Sequence, residues 1–377
     1  LAENVVVLGG GVGGTIVANR LSRRLKGRVH VRVIDRRGRH FYEPSLIFAM
    51  IGKAETDKLW REERRLLRKD IDLTVGDAKH IDTDHRMVTM ADGESFLYDY
   101  LVLSPGARLV PEAVPGYIGN AHHFYTGPAA MELRKAIRSF EGGDVLVGPS
   151  TMPYKCPPAP LEATLLLDEY FKKHKTKKPV RFRYLSPIGR AFTIESVSPV
   201  VEGLLKERGI ELTTFFNLEN IDGKRKVVQS LEGEEVPYDL LILAPPHRGA
   251  KIAEDSGLAG PGGWVPTDRE TLRVKGQEDV WAIGDCTDLP LSKAGSTAHF
   301  EAPVVADAIQ ADVLGTGAQP KYDGHVMCFF ETGGGKGMVL DFNYAHPPSV
   351  KHPTRRHHWA KIAFNKMYWA TIPTARL

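Results

Sequence analysis

Apolar positions along the chain follow two rhythms. Short unbroken runs stop at glycine or at an acid, and longer stretches return an apolar residue every third or fourth position. The first short run, 4–8, enters Gly9-Gly10-Gly11-Val12-Gly13-Gly14 and then a helical stretch at 15–24; the next, 29–34, ends on Asp35. Runs at 98–103, 144–147, 180–185 and 280–283 read as buried strands, and the periodic stretches 129–140, 161–173 and 199–207 read as helices. Strand and helix alternate, so the pattern predicts an α/β fold with parallel sheets.

Composition narrows the class. A chain of 377 residues, 42% hydrophobic and 25% charged, is long enough for two or three globular domains. Its formal net charge of +4 is too small to point to nucleic acid. Cys156, Cys286 and Cys328 form no CxxC or metal-spaced cluster, so neither a disulfide-stapled scaffold nor a metal is expected. The chain opens from Leu1 into a strand without a basic and then apolar leader, and a segment removed ahead of it is left open. No run of about 18 apolar residues predicts a spanning helix.

The glycine run fits G-x-G-x-x-G on Gly9, Gly11 and Gly14. That chemistry wants one glycine for a tight turn, one for backbone approach to a pyrophosphate and one for close helix packing, with the anion on the helix N-terminus. Asp35, about 21 residues on, stands where an acid takes ribose hydroxyls.

Three later segments carry a resemblance. Residues 98–107 (YDYLVLSPGA) resemble the crossover motif of two-dinucleotide-domain flavoproteins, with Ser-Pro in place of Ala-Thr; 280–285 (VWAIGD) resembles their late FAD motif; and 75–78 (VGDA) resembles the strand that meets adenine. The resemblance implies FAD at the first site, held by Gly9, Gly11, Gly14, Asp35, Ala78, Gly106, Gly284 and Asp285, with Asp285 on the ribityl chain. It implies two Rossmann-like domains and a C-terminal α+β region with an amphipathic helix. The expected limits are 1–107 plus 240–316 for the FAD domain, 108–239 for the second domain and 317–377 for the C-terminal part. The segment 293–302 is expected to open a helix aimed at the flavin, with Lys293 at its head. In the second domain, 145–148 runs into a loop, 149–160, with five prolines, which lacks the free N–H groups a pyrophosphate needs. Electrons must then come from a donor other than NADH, and Cys156 stands in that loop.

The loop YKCPPAPLEA resembles the Cys-Pro-Pro-x-Pro-x-Glu segment of sulfide:quinone oxidoreductases and of the flavin subunit of flavocytochrome c sulfide dehydrogenases; HVMCFFETG, with Cys328, resembles their second redox cysteine. The resemblance implies that Cys156 and Cys328 lie together as a disulfide or polysulfide bridge with Glu162 beside them. HS⁻ would open the bridge, leave a persulfide on Cys156 and free Cys328 to pass electrons to the flavin. Tyr125 stands where many members carry a cysteine joined to the flavin, so FAD is expected to be non-covalent. Cys286 reads as a small buried residue.

Sulfide and quinone are the expected substrates, with a peripheral membrane location and a homo-oligomer allowed for. The tail, 355–369, interleaves aromatics with basic residues, and Trp359, Ile362, Ala363 and Met367 align as a face for a membrane surface. On that reading the tail is an anchor separable from the sulfur chemistry. Phe329, Phe330, Phe342 and Tyr344 are candidates for a quinone wall. A cytochrome c partner, a type II NADH:quinone dehydrogenase and a non-enzymatic flavin module are the alternatives.

Overall fold

A computed structural model describes residues 2–350 and 352–374. The short apolar runs become strands of a five-stranded parallel sheet, in the order Val280–Ala282, Tyr100–Leu103, Glu3–Leu8, Val29–Asp35, Asp72–Val75. They are unbroken apolar runs because both faces are covered: Val5 and Val7 enter one core cluster, Val6 and Leu8 another. A second parallel sheet runs Glu211–Thr213, Val180–Leu185, Gly143–Pro149, Leu240–Ala244. The architecture is therefore α/β, with two Rossmann-like sheets.

Leu240–Ala244 corrects the expected boundary at 240. It pairs in parallel with Gly143–Pro149, residue for residue from Val145↔Leu240 to Pro149↔Ala244, so it closes the second sheet rather than reopening the first. Its counterpart in the first sheet is Tyr100–Leu103. Each follows an antiparallel three-stranded meander, Ala78–Asp82, Met87–Met90 and Ser95–Leu97 in one case and Leu218–Asp222, Val227–Ser230 and Glu235–Pro237 in the other. Arg86 and Lys226, both at φ 52°, occupy the same turn of the two meanders. Just beyond, Arg108–Leu109 and His247–Arg248 pair antiparallel where the chain crosses between sheets.

The C-terminal part is a hairpin, Val326–Gly333 with Lys336–Phe342, followed by a helix, Arg355–Thr374. Thr354 ties the helix to the hairpin through a two-way main-chain bridge with Gly337, and its hydroxyl caps the helix by accepting from the His357 N–H at 3.2 Å. The inward face of this helix carries Lys361, Tyr368 and Ile372. Trp359, Ala363 and Met367 point outward. The tail is thus packed on the body: Tyr368 meets His40, Tyr42 bonds Asn365, and Arg61 lies 4.9 Å over the Trp369 ring. Among the described residues no helix is long and apolar enough to cross a membrane.

Candidate functional site

Parallel register brings four sequence motifs to one edge. Leu8 pairs with Ile34 on one side and Leu103 on the other, and Leu103 pairs with Ala282. The segments that follow, Gly9–Gly14, Asp35, Ser104-Pro105-Gly106 and Gly284-Asp285, therefore leave the carboxyl edge together, where α/β sheets bind ligands. Gly9 turns at φ 108°, and a side chain there would overlap the Ser104 carbonyl. A side chain on Gly14 would overlap the carbonyl of Gly9, whereas Gly11 faces open space. Asp35 accepts from the Gly10 N–H at 2.9 Å and from Arg37 and Gly38, which fixes its carboxylate at the strand tip.

Two helices begin here, Val12–Arg24 behind Gly11 and Gly295–Leu314 behind Ala294, and neither has a side-chain cap. Val12 and Gly295 abut, so two sets of free N–H groups converge on one region. Glu301, in the second helix, accepts the Gly284 N–H at 2.6 Å through one oxygen; the other is buried without a partner, and burial pushes its carboxyl up to about 7. Ala78 opens the first meander, half-buried, beside the end of Asp72–Val75. Lys293 immediately precedes the N-cap residue Ala294 of the second helix, and its ammonium bonds the carbonyls of Asp285 and Thr287 and lies 3.9 Å over Trp264.

At the matching edge of the second sheet the loop after Gly143–Pro149 packs on its neighbours. Gly148 is pressed against the Leu185 carbonyl, Ser150 donates to the Ala244 carbonyl at 2.6 Å, and Tyr154 is buried in the loop. Helix Ala159–Lys173 starts from this proline-rich stretch.

That loop delivers Cys156 to the first site. Its N–H donates to the Lys293 carbonyl at 2.8 Å, at a parallel bridge between Lys155 and Lys293, and its φ is 51°. The Lys155 ammonium is held by Glu43 at 2.9 Å; burial disfavours its charge, but Glu43 and Asp285 more than offset this and raise its pKa. Cys328 reaches the same place from the hairpin, its sulfur 3.8 Å from the Ser296 hydroxyl in the first turn of Gly295–Leu314. Cys156 feels the charge of Cys328, and the two sulfurs share neighbours, Glu162 and Lys361. Both are free thiols. Burial pushes Cys328 up to about 11 and Cys156 well above the usual thiol range; Lys361 pulls both down and Glu162 pushes both up. Cys286 lies in the other core cluster, fully buried, with its S–H on the Ile283 carbonyl at 3.3 Å.

Glu162 lies in the first turn of its helix and accepts from the Glu331 N–H and from the Lys361 ammonium, each at 2.7 Å. Glu331 in turn meets His358 Nδ1 at 2.8 Å. Lys361, Glu331 and His358 did not stand out in the sequence. Lys361 is a charge in helical register with Tyr368 and Ile372, but Trp359, Ile362 and Met367 offer a more apolar face, of which Trp359 and Met367 point outward and Ile362 is half-buried. Of the proposed wall aromatics, Phe330 is core against Phe192 and Tyr344 is tied to Arg269, while Phe329 stacks on Phe364 at 5.4 Å. Among the described residues no group of three or more His, Cys, Asp or Glu could hold a metal.

Two dinucleotide-type sheets, the first with a glycine cradle at its edge, and two thiols that share Glu162 and Lys361 as neighbours define an oxidoreductase of the two-domain dinucleotide class. The chain belongs to the pyridine nucleotide-disulphide oxidoreductase family, whose profile matches residues 3–148 and 176–308. Both Cys156 and Cys328 lie outside those matched stretches. The chain is 26% identical to the mitochondrial sulfide:quinone oxidoreductase of Mus musculus, over 93% of this chain and 80% of that one. It is 25% identical to the sulfide-quinone reductase of Aquifex aeolicus, over 98% and 90%. The X-ray structure of the sulfide:quinone oxidoreductase from that bacterium superposes with a TM-score of 0.88, at 23% identity, covering 100% of this chain and 92% of that one.

Proposed function

We propose that this protein is a flavoenzyme that oxidises sulfide at Cys156 and Cys328 and passes the electrons to a quinone at a membrane surface. The observation that carries the reading is the meeting of two thiols, drawn from the two stretches outside the family profile, beside the buried Glu162–Lys361 pair and at the uncapped N-terminus of Gly295–Leu314.

The residues present fit FAD. Gly11 leaves room for a pyrophosphate, Gly9 and Gly14 permit the close turn, and two uncapped helix ends offer donors to anionic groups. The Tyr125 hydroxyl, His247 Nε2 and Glu301 Oε1 are among the buried polar atoms that lack partners. Gly9, Gly11, Gly14, Asp35, Ala78, Gly106, Gly284 and Asp285 would hold the cofactor, and with Tyr125 in place of a cysteine the attachment is non-covalent. Bound there, FAD would supply a two-electron acceptor beside the thiols.

The chain's own chemistry then runs on sulfur. With Cys156 and Cys328 oxidised to a bridge, HS⁻ attacks the Cys156 sulfur; the new S–S bond forms as the old one breaks, sulfide is oxidised to the persulfide level, and Cys328 leaves as thiolate. The Lys361 charge favours that thiolate, and the Ser296 hydroxyl bonds its sulfur. Trp359, Ala363 and Met367 form the outward face that would meet the membrane. NADH is not the donor on this reading, since the loop 149–160, with five prolines, offers few free N–H groups to a pyrophosphate. Anaerobic stopped flow tests the reading: sulfide should bleach the flavin band rapidly and NADH should not. Rapid bleaching by NADH would move the protein to the dehydrogenases, and no bleaching by either would leave a flavin-binding module.

A further inference from the structure

The charge cluster beneath the thiols has a division of labour that sulfur transfer does not explain. The body contributes both acids, Glu162 on its helix and Glu331 on the hairpin, at 2% and 1% exposure. The tail helix contributes both bases, Lys361 and His358, one turn apart. Lys361 pairs with Glu162 at 2.7 Å, His358 with Glu331 at 2.8 Å, and the Glu331 N–H joins the two acids. Glu331 Oε1 is buried with no partner. Burial pushes the Glu331 carboxyl up, while Lys361 and His358 pull it down. One ammonium is therefore shared among Glu162, Glu331 and two thiols.

We propose that Glu331 and His358 are positioning residues which, by sharing one proton, decide how much of the Lys361 charge is left for the thiol pair. This rests on the reading of Cys156 and Cys328 as the reacting thiols. While the proton is held, His358 is cationic beside a carboxylate, or Glu331 is neutral. In either form Glu162, Lys361, Glu331 and His358 sum to zero. Once it is lost, Glu331 is an unanswered buried carboxylate that competes for Lys361, and a thiolate nearby is disfavoured. The groups facing Glu331 are Glu162 from helix Ala159–Lys173 and Lys361 and His358 from the tail. The His358 side chain is 23% exposed, whereas that of Glu331 is 2% exposed.

The test reads thiol reactivity directly. Reduced holoprotein is alkylated with iodoacetamide at pH 7 and pH 9, and modification of Cys156 and Cys328 is followed by peptide mass spectrometry. Glu331→Gln should speed alkylation about tenfold at pH 9 with little change at pH 7, because it removes the competing carboxylate. His358→Gln should slow it severalfold at pH 7 and leave pH 9 unchanged. His358→Lys, cationic throughout, should be about as fast at pH 9 as Glu331→Gln. Loosened packing would instead speed all three variants at both pH values, and that outcome, or no change in any, overturns the proposal. Should Glu331→Gln fail to fold, the opposed His358 variants decide alone. Alkylation needs no sulfide, so a flavin that sulfide cannot reduce would sink the functional reading and not this one.

Discussion

Cys156 adopts a left-handed backbone, φ 51°, that side-chain-bearing residues enter at a cost of about 1–3 kcal/mol. Its N–H on the Lys293 carbonyl and its own carbonyl on the Ala159 N–H hold it there, so the main chain aims the sulfur. Serine keeps that backbone and loses the accessible thiolate. Cys156→Ser and Cys328→Ser should each retain flavin and lose sulfide-dependent quinone reduction by at least about a hundredfold, the double variant being little worse, while Cys286→Ser stays within about twofold. Steady-state rates check this, and near-normal turnover in Cys328→Ser would remove the thiol pair from the mechanism. Glu301 gives a pH signature. Its folded pKa of about 7 lies above the ordinary 4.5, so its contribution is intact below about pH 4.5 and is lost as pH rises through 7, a cost of roughly 3 kcal/mol by pH 8. Glu301→Gln should melt above the parent at pH 8 and converge with it near pH 4.5; parallel melting curves across that range would contradict the assignment. The strand-end turns at Gly9, Asp35 and Gly284 were readable because an apolar run that stops at glycine or an acid marks where a strand ends. Glu43 with Lys155 and Glu331 with His358 were not, since each pair exists only once distant segments pack.

The tail helix shows the same limit for an element. Its aromatic and basic composition was legible, but which face turns inward depends on what the body offers, and the body offers two buried acids and His40. Amphipathic patterning ranks faces by apolarity, so it favours the face with Trp359 over the one with Lys361. Removing the residues after Thr354 takes away Lys361 and His358 and strands Glu162 and Glu331. Breaking a buried pair costs about 3–5 kcal/mol. The truncated protein should therefore melt lower and lose reduction of its flavin by sulfide, rather than lose membrane binding alone. Trp359→Ser with Met367→Ser, on the outward face, should weaken co-sedimentation with anionic liposomes and leave flavin reduction in solution intact. A truncated protein with full sulfide reactivity would show that Lys361 is dispensable.

For the whole molecule, alternation of strand and helix was enough to foresee two parallel sheets. What it could not show is that Leu240–Ala244 closes the second sheet, because an apolar run after a meander looks the same in either half; Tyr100–Leu103 and Leu240–Ala244 are counterparts. Only pairing distinguishes them. The two crossovers that leave those strands run against each other, Arg108 opposite Arg248 and Leu109 opposite His247, with Val110 bonding the Pro246 carbonyl and Arg108 reaching the Gly249 carbonyl and Glu254. A single linker would be a pivot; two strands hydrogen-bonded side by side form a strut, stiff in shear and in twist. Rotating one sheet against the other would have to break that pairing, so the frame keeps its shape.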